Sequence, residues 1–487
     1  MRMIVRDVDV SDWREAIESI AGDEADLISL WGDDDTMLMA LGWKDPRALD
    51  ILRLRCAWGH FPSVGAVHAP AIRLERAACD LFGFFPEGAL DQRPWLDHGR
   101  WPLRNPLGAA TPCAGEGERY EFLKAEGEGL HQIPVGPVHA GIIEPGHFRF
   151  SASGETIVRL EERLGYLHKG VDALFRGADV ATGATLAGRI SGDSTVAYAL
   201  AFSRAVEQAL GITAPPRANY LRGVIAELER VANHFGDIGG ICNDAAFAIM
   251  LARCSVLRER VLRASKTAFG HRLMMDVVVP GGVAADLSHD AISDLRVLVK
   301  TLRAALPALI SLYDDTTSLQ DRTVRTGVLK KELAALFGAG GYVGRASGRD
   351  FDARRDFAYA PYDMASWRVI TRVDGDVNAR VWVRFGEIEE SLALIESLVG
   401  ALPLGAVRSA LPKPGPSAEG FALVEGFRGD VFAHVRLDAD GKIERAHLRD
   451  PSWFHWPLLE AVIEGNIVAD FPLCNKSFNG SYSGVDL

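Results

Sequence analysis

The sequence contains no Cys-x-x-Cys pair; its six cysteines, Cys56, Cys79, Cys113, Cys242, Cys254 and Cys474, are scattered singly. Metal and cluster sites usually draw two ligands from neighbouring positions, so that one turn can present both. No metal site is therefore expected, and the thiols read as free groups in a reducing compartment. No apolar run approaches the ~20 residues needed to cross a bilayer. The start, MRMIVRDVDVSDW, has neither the basic nor the apolar region of a signal peptide, which points to the cytoplasm. No GxGxxG follows a strand-like run, so a nicotinamide site on this chain is not expected. Cations are outnumbered, 53 Lys and Arg against 65 Asp and Glu, for a formal net charge of −12. Nucleic acid, which is held by clustered Lys and Arg, is not an expected partner.

What is present is globular: 48% hydrophobic and 24% charged residues over 487 positions, too long for one ordinary core. The first hundred residues mix helix and strand signals. AIRLERAACDLFGFFPEG (71–88) has helical spacing that breaks at Gly83 and Pro86. WLDHGRWPLRNPLGAATPCAGEGE is rich in Pro, Gly and Ala without periodicity and reads as a connector, with a domain boundary near residue 115. The expected organisation is a module over 1–115, a linker over 116–135 and a second domain over 136–487.

In the second domain FRFSAS and TIVRLEE flank Gly154 as a hairpin. Leu221, Val224, Ile225, Leu228, Val231, Ala232 and Phe235 then form one wide helical stripe. Residues 245–270 and 289–315 read as two more long helices, so the middle of the chain is a bundle. VFAHVRL and IERAHLR are joined by DADGK, whose Asp440-Gly441 step is a hairpin turn, and WPLLEAVIEG is a final helix. The fold class is α+β: a small N-terminal α/β module, then a central long-helix bundle flanked by β-rich segments.

GPVHAGIIEPGHFRF, RGVIAELERVANHFGDIGG, FGHRLMMDVVVPGGV, GYVGRASGRDFDAR, VDGDVNARVWVRFGEIEESL and DPSWFHWPLLEAVIEGNIVAD follow one another in this order. Residues 130–487 thereby resemble the 49-kDa subunit of respiratory complex I and the large subunits of group 4 membrane-bound nickel-iron hydrogenases such as formate hydrogenlyase. The N-terminal part is similar to the 30-kDa subunit of complex I through Glu75 to Gly83 and Pro102 to Arg104. The fusion of the two modules in one chain is the formate hydrogenlyase arrangement.

The resemblance implies a hydrogenase-large-subunit-like domain and an oxidoreductase subunit active only within a complex, of NADH-quinone oxidoreductase or hydrogenase-4 type. It implies an iron-sulfur partner resembling the 20-kDa subunit, membrane-arm partners, and a peripheral place on the cytoplasmic face of the inner membrane. In the nickel-iron enzymes four thiolates hold the metals, and here the corresponding stretches, 189–194 and 450–455, contain no cysteine. Soft late metals select thiolate over hydroxyl. The loop GRISGDST therefore resembles the complex I state, a metal-free cavity for a quinone-like acceptor beside an iron-sulfur cluster of the partner, with no cofactor bound by this chain itself. DPSWFHWPLLEAVIEGNIVAD and SGVDL continue through the point where a hydrogenase precursor would be cut, which agrees. Complex I uses a histidine in this region, matched by His139, and a tyrosine whose position falls at Gly192, with Tyr198 two turns on.

The candidate catalytic residues are accordingly His139, Asp193 and Tyr198. Arg189, Ser191, Ser194, His271, Arg272, Arg345, Asp352, Ser452 and His455 are candidates for lining the acceptor cavity, expected between the 136–147 loop, the 189–198 loop and residues 452–455. A loop imidazole can deliver a proton near neutral pH, or simply hydrogen-bond at the surface; His147 is a weaker candidate. Asp193 can relay a proton if burial raises its pKa, or Ser-Gly-Asp-Ser can be a helix N-cap. Arg189, His271, Arg272, Arg345, Asp352 and Arg354 can line the cavity, orient the cluster-bearing partner or pair with one another, and Pro280-Gly281-Gly282 reads as a tight turn with close backbone approach. An active nickel-iron hydrogenase and a noncatalytic scaffold that couples redox events to a membrane arm remain as alternatives.

Overall fold

A computed structural model describes residues 2–45, 47–113, 120–139, 143–415 and 418–487. The expected boundary near 115 and the start of the 116–135 linker lie outside the described residues.

The N-terminal strands β1 (Arg2–Val8), β2 (Ala25–Asp33), β3 (Thr36–Lys44) and β4 (Arg47–Arg55) form one sheet in the order β1-β4-β3-β2, with β1 parallel to β4. The apolar run MLMALGW in β3 lacks alternation because the sheet is buried on both faces. Against one face pack the helices α1 (Val10–Ala21) and α2 (Ile72–Phe82), through Trp13, Ile17, Leu74 and Leu81. Gly83, in the left-handed region at φ 78°, ends α2 where the sequence breaks its helical spacing.

The other face belongs to the rest of the chain. Ile28, Trp31, Leu38, Ala40, Leu49 and Ile51 share one cluster with Ala353, Phe357, Phe421, Leu423 and Phe432. Trp31 stacks on His447 at 4.8 Å, Ser29 hydrogen-bonds the same imidazole at 2.9 Å, and Arg449 donates to the Ile28 carbonyl at 2.7 Å. The module is thus continuous with the second domain rather than a separate body. An isolated 1–115 fragment, its sheet face uncovered, is expected to aggregate or to lack cooperative unfolding; circular dichroism melting of the fragment checks this.

In the second domain His147–Ser153 and Thr156–Arg163 form the expected hairpin around Gly154. Leu130–Val135 adds a third strand to it, so the end of the expected linker is part of the sheet. The bundle consists of the helices Thr195–Ala209, Pro216–Asp244, Ala248–Phe269, His289–Asp314 and Val377–Gly400. Its centre is the wide stripe on Pro216–Asp244, from Leu221 to Ile241. The sheet Ala418–Glu425, Asp430–Leu437 and Ile443–Arg449 turns at Gly441 (φ 82°), as the Asp-Gly step requires. The helix expected as the last, Ser452–Ile463, begins four residues earlier than its apolar run suggests and is followed by Phe471–Phe478 and Ser483–Asp486. Gly281 makes the expected tight turn: a Cβ there would lie 2.6 Å from the Ser409 carbonyl oxygen.

Candidate acceptor cavity

Where the bundle meets the Leu130–Arg163 sheet and the last turn of the chain, a cavity of about 480 Å³ opens. Its lining is both apolar, with Val135, Ile143, Phe148, Phe471 and Pro472, and polar, with Ser191, Asp193, Asp244, Arg428, Asn475 and Lys476. His139 and Asp193 both line it, as expected of the 136–147 and 189–198 loops. The third wall is not 452–455 but 471–482. Ser452 and Trp456 stand behind that wall, the former accepting from the Ser481 N–H at 2.8 Å and the latter donating to the Ser481 carbonyl at 3.0 Å.

Asp193 is held by one cation. Arg428, from the turn between the strands Ala418–Glu425 and Asp430–Leu437, donates to its carboxylate at 2.6 Å, to Ser194 Oγ at 2.8 Å and to the Asn479 carbonyl at 2.6 Å. Ser191 and Ser194 donate to the same carboxylate at 2.8 and 3.2 Å. Burial alone raises this carboxyl's pKa, but Arg428 and the two hydroxyls outweigh it and hold the group below the ordinary carboxylate range. The side chain keeps 37% of its surface exposed, toward the cavity it lines, so water there screens the pair. The burial-driven rise that would make Asp193 a proton carrier is therefore absent. The capping reading fails as well, because neither Ser191 nor Ser194 caps the helix start and the Asp193 oxygens are taken by Arg428 and the serines. Glu229, on the helix Pro216–Asp244, accepts instead from the Val196 and Ala197 N–H groups, at 2.7 and 3.2 Å.

His139 lines the cavity with its ring 5.3 Å from Phe148, and its Nε2 is buried without a hydrogen-bond partner among the described residues. His147 opens its strand and binds the Gly136 carbonyl at 3.2 Å, which fixes the base of the His139 loop from behind. Asp244, at the end of the long helix, has its pKa raised by burial, partly offset by Lys476. The sequence reading missed Asp244, Arg428 and the whole 471–482 wall.

Several expected lining residues lie elsewhere. Tyr198 is fully buried behind the cavity and donates to Asp450 at 2.8 Å; the phenol ring in the wall is that of Tyr482. Arg189 turns to the surface and pairs with Asp276 at 2.7 Å, while His271 and Arg272 are exposed, the latter paired with Glu259. Arg345, Asp352 and Arg354 form a buried network with Glu227, Glu387 and Glu425, the ion-pair alternative. His455 is buried against the Gly340 carbonyl at 3.2 Å, and burial pushes its pKa down to about 3. Ser194 sits one step behind the wall, in contact with Arg428.

Residues 244–415 and 412–487 match the family described as respiratory-chain NADH dehydrogenase, 49 Kd subunit. Formate hydrogenlyase subunit 5 of Escherichia coli K12 is 30% identical over 442 residues, covering 88% of this chain and 77% of that protein. The chain belongs to the 49-kDa-subunit family. This is a family of oxidoreductase subunits. The carbon monoxide-induced hydrogenase of Rhodospirillum rubrum is 30% identical over 353 residues, 72% of this chain and 97% of that protein. A solved structure of a membrane-bound sulfane sulfur reductase, an archaeal respiratory membrane complex, superposes with a TM-score of 0.70 at 27% identity, covering 74% of this chain and 99% of that one. Among the described residues no helix is long and apolar enough to cross a membrane.

The nickel-iron centre of the hydrogenase branch does not fit this member of the family. No cysteine lines the cavity, and Cys56, Cys242, Cys254 and Cys474 are buried elsewhere. Among the described residues no three His, Cys, Asp or Glu side chains are placed to hold a metal ion. Asp193, the carboxylate within 189–194, is already committed to Arg428.

Proposed function

We propose that this chain is a hydrophilic-arm subunit of a membrane-attached oxidoreductase of complex I or formate hydrogenlyase type, and that its cavity receives a neutral, quinone-like acceptor. The observation that carries this reading is a roomy cavity lined by both apolar and polar side chains and by no cysteine. The acceptor's charge follows from the lining. Glu144, Asp193 and Asp244 stand against Arg428 and Lys476, which disfavours an anionic acceptor such as a polysulfide.

Reduction of such an acceptor takes two electrons and two protons and yields the hydroquinone. The electrons would come from an iron-sulfur cluster of a partner resembling the 20-kDa subunit. His139 and Asp244 are the groups on this chain placed to deliver the protons, His139 as a loop imidazole and Asp244 as a carboxyl whose pKa lies above the ordinary value. Asp193, ionised and clamped, orients the wall. Protonation at the cavity would bias the attached membrane arm, on the cytoplasmic face of the inner membrane.

The test is iron-sulfur-dependent reduction of added quinone by the purified complex, whereas a scaffold subunit gives an assembled complex with no such turnover. Elemental analysis of the same preparation is expected to find far less than one nickel per chain; a stoichiometric amount would restore the hydrogenase reading.

A further inference from the structure

Glu229 is a buried carboxyl whose two oxygens each accept one backbone N–H, from the second and third residues of the helix Thr195–Ala209. That helix begins directly after Ser191, Gly192 and Asp193, the polar lip of the cavity. A second tie joins the same two elements: Asn233, one turn further along the Glu229 helix, donates to the Asp193 carbonyl at 2.8 Å and to the Glu229 carbonyl at 3.0 Å. Arg230, its neighbour in sequence, turns away to Glu227 and to the Glu425 and Gly426 carbonyls. Arg428, the other nearby guanidinium, is spent on Asp193, Ser194 and Asn479. Glu229 therefore faces the positive end of a helix and the anion of Asp193, with Arg230 acting on it from its own helix without hydrogen-bonding it among the described residues.

We propose that Glu229 is a positioning residue of the cavity: it fixes the start of the Thr195–Ala209 helix, and with it Asp193 against Arg428, through a carboxyl that exchanges a proton. This rests on the acceptor-cavity reading. Ionised, the carboxylate satisfies both N–H groups; protonated, it keeps one good acceptor oxygen and loosens the other bond. A proton on Glu229 thus relaxes the lip, and its loss tightens it. The groups acting on it are Asp193, before the capped helix, and Arg230, on its own helix, with Arg428 opposite Asp193. Burial raises the Glu229 pKa to about 8, against the pull of the two N–H groups, and Asp193 adds to the rise, so the exchange falls near neutral pH.

The experiment uses Glu229→Gln, which keeps the shape and one acceptor oxygen and removes the titration. In the purified complex, wild-type quinone reduction is expected to change with a midpoint near pH 8, and the variant to lack that limb while folding normally. A variant that keeps the limb overturns the proposal, since a fixed cap predicts no change in the profile. The stability of the full chain gives an independent reading. A carboxyl with an ordinary pKa of about 4.3 when unfolded and about 8 when folded binds more protons in the native state between those values. Wild-type stability is therefore lost, relative to the variant, as pH rises through that window. Parallel melting temperatures from pH 5 to 8 overturn the exchange even if turnover is absent. If the stability difference appears but the wild-type complex reduces no quinone, the acceptor reading and its link to Glu229 both fall, leaving the carboxyl a titrating cap.

Discussion

Asp193→Asn is expected to destabilise the folded chain by about 3 kcal/mol, a large effect for an isosteric change. The reason lies with the partner rather than with the aspartate. Arg428 is 3% exposed and forms no other ion pair among the described residues, so the amide leaves a buried guanidinium without its counter-charge. The figure sits at the low end of the range for broken buried pairs because the Asp193 side faces the cavity, where water screens the interaction. Arg428→Met should cost less by the same logic, since the orphaned Asp193 carboxylate can hydrate. Urea denaturation of both variants checks the order, and equal costs would mean that cavity water does not reach the pair. Stability from this pair is present above the ordinary carboxylate pKa and is lost as pH falls through the depressed folded value.

His139→Gln is expected to lower quinone reduction by about 100-fold or more, near the lower contribution of a positioned acid, with little loss of stability. The ring lines the cavity and makes no hydrogen bond through Nε2 among the described residues, so the substitution breaks none there. Asp244→Asn should act in the same direction, and the double variant should lose less than the two single losses combined if both groups supply one proton inventory. Steady-state rates measured per assembled complex decide this. Unchanged turnover in both variants would remove the proton-delivery role and favour a scaffold.

The long helices were legible because a 3.6-residue apolar repeat survives any tertiary context; the stripe from Leu221 to Phe235 is buried as its spacing demands. The hairpins at Gly154 and Gly441 were legible because left-handed turns demand particular residues. The site was legible in part. Ser191, Asp193 and His139 stood out by loop composition and by resemblance, and all three line the cavity. Arg428 did not, since its meaning depends on reaching Asp193 from 235 positions away. The only local hint was a charged Gly-Phe-Arg-Gly turn inside an otherwise strand-like stretch. Charge also failed to reveal its partner: Arg345 and Asp352 sit in blocks shared with the family, yet they neutralise each other in the core. Tyr198 was misplaced by a small error of phase, as helical position two turns on puts its hydroxyl on Asp450.

The sheet β1 to β4 is finished by residue 55, whereas the strands that cover its open face end at residue 449. Synthesis adds residues at about 5–20 per second, so Trp31 and its neighbours wait roughly 20–80 s on the ribosome before their partners exist. During that interval the nascent chain carries an uncovered apolar sheet on a growing tether, which makes it a client for ribosome-associated chaperones. Slowing translation late in the message should therefore reduce the yield of folded chain more than slowing it early.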